Sequence, residues 1–232
     1  MRQSLAGSWT LFREGSEQYW DAELPGDTLT PLIAAGYVED PYYGTNELDL
    51  QWLGRANWRY QRSFALTPEL ASKKYHYLHL ESVDTVAQAE VNGVEVARQE
   101  NMFYPLRADV TLRKGENTVA VKLRAPEVRA EEKAKELPYP VPHQYYPVQS
   151  PHRNLLRKVQ CHSGWDWGPA LMVSGVYGET YIGATDRERI ESVRVFTRPG
   201  DGGWTVDFDV ELFAYEAGEV RLSRSEERRV GK

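Results

Sequence analysis

The sequence predicts an all-β chain of sandwich type, on three observations. From Trp58 onward, short runs rich in Val, Tyr, Leu and Phe recur between turn residues, the spacing of antiparallel strands rather than of strands alternating with long helices. Alternating residues flank Asn92-Gly93, a dipeptide that tolerates positive φ at both turn positions and so marks a hairpin. The composition is that of an ordinary globular chain: of 232 residues, 41% are hydrophobic and 27% charged.

Taken in order, residues 28–35 predict a short helix, and residues 75–80 a strand. Residues 87–91 and 94–96 form the two arms of the Asn-Gly hairpin. Two further strands are expected over 108–112 and 118–123, separated by the turn at Lys114-Gly115-Glu116-Asn117. Residues 127–136 are good helix formers with few apolar anchors and read as a solvated excursion. Five prolines between 137 and 151, interleaved with Tyr139, Tyr145 and Tyr146, exclude a ladder strand and predict a structured loop. Two alternating strands over 190–197 and 204–212, joined at Arg198-Pro199-Gly200-Asp201-Gly202-Gly203, begin a second domain near Thr185. Two strands alone do not make a stable sandwich.

Composition also excludes function classes. A net charge of −6 offers no basic surface to follow phosphates, so nucleic acid is not expected as a partner. No run approaches the roughly 18 apolar residues of a membrane span. The one cysteine, Cys161, rules out an internal disulfide framework, and the first residues run into polar sequence without an apolar signal core. The expected compartment is a reducing cytoplasm.

The segment most suggestive of chemistry is Cys161-His162-Ser163-Gly164-Trp165-Asp166-Trp167-Gly168-Pro169, read as a turn closed by Gly-Pro. An indole covers the apolar C–H face of a pyranose while a carboxylate accepts hydrogen bonds from its hydroxyls, so Trp-Asp-Trp suits a sugar. The competing reading makes Trp165 and Trp167 plugs of the sandwich and Asp166 a cap of its own turn. Upstream, Asn154, Arg157 and Lys158 either direct donors into the same pocket or form a salt bridge that holds the loop. Cys161 and His162 lack the ligand count of a metal site and the third group of a nucleophile pair, and His76, His79, His143 and His152 show no metal spacing. No phosphate loop, nucleophile elbow or dinucleotide fingerprint occurs, so neither cofactor nor metal is expected.

Several segments together resemble the β-mannosidases of glycoside hydrolase family 2. They are Leu5-Ala6-Gly7-Ser8-Trp9, Leu24-Pro25-Gly26-Asp27, Asp40-Pro41-Tyr42-Tyr43-Gly44-Thr45-Asn46-Glu47, Trp58-Arg59-Tyr60-Gln61-Arg62-Ser63-Phe64, Val91-Asn92-Gly93, Asn154-Leu155-Leu156-Arg157-Lys158 and Gly164-Trp165-Asp166-Trp167-Gly168-Pro169. The resemblance implies a jelly-roll, galactose-binding-domain-like β-sandwich over residues 1–184, followed over 185–223 by the first strands of an immunoglobulin-like β-sandwich. It also implies a C-terminal (β/α)8 barrel, absent here, whose two glutamates hydrolyse terminal β-mannosides with retention. Carried onto this chain, Asp166 binds mannose hydroxyls, Trp165 and Trp167 shape the pocket, and Arg157 accompanies them; none is a catalyst. Glu47, Asp49 and Glu179 have no spacing that would make them substitutes for the missing pair. The expected ligand is a β-mannoside or manno-oligosaccharide, and the fragment alone is expected to be inactive.

Residues 224–232 abandon the strand pattern and read as a charge run. They resemble what one reading frame of a common sequencing adapter encodes; the alternative is a solvated tail. Two other readings of the whole chain stay open: a stand-alone carbohydrate-binding module, and a scaffold domain whose aromatics serve an interdomain contact.

Overall fold

A computed structural model describes residues 1–142, 150–165 and 168–223. The chain divides into two compact units, Met1–Ala184 and a second beginning at Thr185. The first unit carries strands β1 (Arg2–Ser4), β2 (Gly7–Arg13), β3 (Tyr19–Leu24), β4 (Gly26–Asp27), β5 (Trp58–Ala65), β6 (Tyr75–Asp84), β7 (Ala87–Val91), β8 (Val94–Gln99), β9 (Leu106–Asp109), β10 (Glu116–Leu123), β11 (Ser163–Trp165), β12 (Gly168–Ala170) and β13 (Gly175–Thr185). Short helices α1 (Thr30–Ala34), α2 (Asn46–Asp49) and α3 (Pro68–Ala71) and the longer α4 (Pro126–Glu136) interrupt them.

Two sheets face one another. One runs β3-β2-β5-β10-β7-β8, the other β1-β13-β6-β9 with β4 beside β13. Period-two alternation explains why: β3 buries Trp20, Ala22 and Leu24, and β7 buries Ala87, Ala89 and Val91, with exposed or half-buried residues between. These side chains share one core with Leu78, Leu80, Leu106, Val176 and Ile182 of the opposing sheet. Trp58, fully buried, sits between Trp20 and Trp52 at centroid distances of 6.1 and 5.9 Å. Trp9, Tyr60 and Phe64 are buried as well, whereas Tyr42, Tyr43, Phe103 and Tyr104 are exposed.

The Asn-Gly hairpin forms as read, with Asn92 at φ 53° and Gly93 at φ 78° between β7 and β8. Several of the family-like segments hold the frame. The Asp27 carboxylate accepts from the Leu29 and Thr30 amides at 2.7 and 2.8 Å and so starts α1. Asp40 accepts from the Tyr42 amide at 2.9 Å, and Gly44 occupies φ +60°.

Two elements differ from expectation in character as well as in extent. Residues 126–136 form a docked helix, because Ala130 is buried with Val86, Leu156 and Met172 and the charges find partners: Arg55 with Glu131 at 2.6 Å, Arg129 with Glu100 at 2.9 Å and Lys133 with Glu100 at 2.7 Å. The segment read purely as a turn has strands on both sides, since β11 and β12 pair Ser163 with Ala170 and Trp165 with Gly168. Of the proline loop, residues 143–149 lie outside the described residues.

The second unit holds β14 (Glu188–Gly200) and β15 (Gly203–Ala214), an antiparallel pair. Register places Val193 opposite Val210, Val195 opposite Phe208 and Thr197 opposite Val206 on one face. The other face pairs Arg194 with Asp209 at 2.8 Å and Arg198 with Asp207 at 3.0 Å. Val195 and Phe208 are 55% and 45% exposed, so the apolar face is uncovered among the described residues.

Candidate functional site: an anchored hairpin bearing Trp165

The segment from Leu156 to Val173 leaves the sandwich and returns to it, and polar contacts fix it along its length. At the start, the Arg157 carbonyl accepts from the Met102 amide at 3.0 Å, and Asn101 bridges to Arg157. Further on, Arg153 Nη1 donates to the Ser163 carbonyl at 2.8 Å. On the far arm, the Ala170 amide donates to Glu47 Oε2 at 3.0 Å and Gln51 Nε2 donates to the Ala170 carbonyl at 2.9 Å. Glu47 therefore has a structural task, while Glu179 pairs with Arg2 at 2.6 Å.

Beneath the hairpin lies a buried charged cluster. Lys158 Nζ contacts Asp84 Oδ2 and donates to the Val173 carbonyl at 2.6 Å, with the Lys158 and Asp84 side chains 2% and 0% exposed. His162 Nδ1 stands 3.2 Å from Lys158 Nζ and 3.3 Å from Asp84 Oδ2, and the Thr85 hydroxyl donates to Asp84 Oδ1. Burial alone would raise the Asp84 carboxyl, yet hydrogen bonds from His162 and Lys158, with the Lys158 charge, hold it below the ordinary carboxylate value. Burial draws the Lys158 ammonium down while Asp84 opposes this. The Val173 carbonyl and the Asp84 carboxylate are both acceptors, an arrangement that favours the protonated ammonium between them. Burial, with Asp84 and Asp27 nearby, pushes the neighbouring Tyr177 hydroxyl far up and keeps it neutral.

Of the residues read as a sugar site, Trp165 ends β11 with 54% of its surface exposed, and Arg157 directs an exposed side chain outward from the same loop. Among the described residues neither side chain is hydrogen-bonded or stacked. Asp166 and Trp167 lie outside the described residues. Lys158 takes the second of its two readings, a salt bridge that holds the loop. Cys161 is exposed and His162 packs into the cluster. Among the described residues no group of three or more His, Cys, Asp and Glu side chains is placed to hold a metal ion. Sequence reasoning missed Asp84, which lies 74 positions before Lys158 and carries no local signal. It also missed Gln51.

Fold and loop together define a galactose-binding-like β-sandwich with an outward, aromatic hairpin. The profile described as glycosyl hydrolase 2 galactose-binding domain-like matches residues 9–178, and the chain belongs to that family. It is similar to the "probable beta-mannosidase" of Caenorhabditis elegans, 31% identical over 229 residues, covering 95% of this chain and 25% of the relative. The beta-mannosidase of Bos taurus is 33% identical over 186 residues, covering 78% of this chain and 21% of the relative. The crystal structure of the β-D-mannosidase from Dictyoglomus thermophilum matches with a TM-score of 0.85 at 30% identity, over 93% of this chain and 26% of that one. An exo-chitosanase from Amycolatopsis orientalis, at a TM-score of 0.60 and 14% identity, shares the fold. The chain spans about a quarter of the length of its mannosidase relatives.

Proposed function

We propose that this chain is the N-terminal, substrate-contacting part of a retaining exo-β-mannosidase. One observation carries the reading: the hairpin is anchored at its base and on both arms, yet its Trp165 faces solvent instead of filling the core. A rigid support under an exposed indole is the arrangement a sugar-stacking site needs. Asp166 accepts hydrogen bonds from mannose hydroxyls, Trp165 and Trp167 cover the apolar face of the ring, and Arg157 donates from the same loop.

The catalytic carboxylates belong to a C-terminal barrel of the same protein, because retention needs an acid/base and a nucleophile about 5–5.5 Å apart on a rigid frame. Glu47 and Glu179, engaged with the Ala170 amide and Arg2, are unsuited to that part. The one-sided apolar face of β14 and β15 supports reading residues 185–223 as the opening of an immunoglobulin-like sandwich.

The test extends the reading frame beyond codon 223 and assays a β-mannoside. The expected result is hydrolysis by the longer protein, none by the 232-residue chain, and a fall in kcat/KM of about 100-fold or more in Asp166→Ala. Hydrolysis by the short chain would overturn the division of labour. Calorimetric binding of mannosides by the short chain, lost in Asp166→Ala and without a longer frame, would replace it with a binding module.

A further inference from the structure

We propose that Lys158 is the positioning residue of the sugar-contact hairpin, clamping the neck of the loop from inside rather than touching substrate. The inference rests on the sugar-contact reading for its purpose, though its geometry stands independently. A single ammonium meets three structural parts. It belongs to residue 158, where the loop begins; it donates to the carbonyl of Val173, where the loop ends; and it pairs with Asp84, the last residue of β6, which is part of the sandwich. The distance of 2.6 Å to the Val173 carbonyl joins ends 15 positions apart across the neck of the loop, and the Asp84 contact pins that closure to the sheet. His162, inside the loop, adds a third tether through Nδ1, to one or other of these groups according to its tautomer.

The charge is informative because it is an inefficient way to obtain stability. Burying an ammonium and a carboxylate costs their hydration, and an apolar pair of similar volume commonly serves stability as well or better. What an apolar pair lacks is direction. An ammonium with two or three acceptors fixes the relative placement of loop start, loop end and sheet, and an error of about 1 Å at a substrate-contacting residue costs roughly 100-fold in rate. Global stability and local placement are therefore separable in this cluster.

The separating experiment uses the double variant Asp84→Asn/Lys158→Met in the whole chain, which removes both charges with little change of shape and leaves no lone buried ion. Amide hydrogen exchange is read along the sequence. The expected result is an exchange rate at least about tenfold faster over residues 159–165 and 168–173, with the β5–β10 ladder at its wild-type rate. Unchanged loop rates would overturn the clamp, and so would a rise spread evenly over all strands, which a merely stabilising pair produces. The single variant Lys158→Arg keeps the charge and is expected to restore part of the loop protection; an Arg variant no better than the double variant counts against the clamp. No sugar enters these measurements. Failure of the sugar reading through Asp166→Ala and failure of the clamp are therefore distinguishable.

Discussion

Replacing Lys158 by alanine leaves the Asp84 carboxylate in place, fully buried, with its main counter-charge gone and the Val173 carbonyl without its donor. The remaining partners are the Thr85 hydroxyl and the His162 ring at 3.3 Å. Removing one member of a buried ion pair costs about 3–5 kcal/mol, because an uncompensated charge stays in a poorly hydrated place. In a unit of this size each kcal/mol lowers the midpoint by roughly 2–4 °C, so the transition of the first unit is expected roughly 6–20 °C below wild type. Near-ultraviolet circular dichroism of the buried tryptophans, followed through thermal unfolding at pH 7, reads it. Arg157→Ala, next in sequence but exposed, is the control and is expected within about 0.5 kcal/mol of wild type. If Lys158→Ala melts within about 2 °C of wild type, the pair is neither charged nor buried as described, and the reasoning fails.

Two further outcomes follow from the same physics. Because the Asp84 carboxyl is held below its unfolded value, its ionisation stabilises the fold above about pH 3.9 and that contribution is lost as the pH falls through the lower folded value. Denaturant midpoints measured from about pH 5 downward are expected to converge for wild type and Asp84→Asn; parallel curves would refute this. At Gly183 an added Cβ would stand 2.0 Å from Tyr77 Cζ, so Gly183→Ala is expected to cost about 1–3 kcal/mol by overpacking. Gly115→Ala, with nothing within 4 Å, is expected to stay within about 0.5 kcal/mol of wild type in urea unfolding.

The parts of the fold legible in sequence are those whose signal is local. Asn92-Gly93 needs no distant partner to specify its turn, and the alternation of 87–91 shows which face is buried. β6 reads only to residue 80 because Glu81-Ser82-Val83-Asp84 breaks the apolar pattern, although the strand runs on to deliver Asp84. β13 stays hidden because Gly175, Gly178 and Gly183 dilute its strand character. One of them is required by the fold, since the Tyr77 ring occupies the space a side chain would take at Gly183. The expected strand over 108–112 lies instead at 106–109, because pairing to β6 from Leu80↔Leu106 to Tyr77↔Asp109 sets its register and leaves residues 110–112 outside it. At the candidate site, the local Trp-Asp-Trp pattern singles out the segment that carries the exposed Trp165. The cluster beneath it has no such signal, because its ion pair joins residues 74 apart and takes its meaning from burial.

The pairing of β1 with β13 also sets the order of assembly. Arg2 lies opposite Gly183 and Ser4 opposite Tyr181, so the first strand of the unit finds its place only beside the last. Hairpins such as β2–β3 and β7–β8 can close as soon as they are made, but the second sheet cannot be completed until nearly the whole unit has been synthesised. At roughly 5–20 residues per second that is on the order of 10–40 s after the first strand emerges. Until then β6 and β9 alone can cover the inner side of the β2–β5–β10 sheet, and the part of the core that Val176 and Ile182 fill stays open. The same long-range closure makes folding slow relative to a helical unit of equal size, and makes a nascent chain halted before Tyr181 a substrate for chaperones rather than a smaller folded domain.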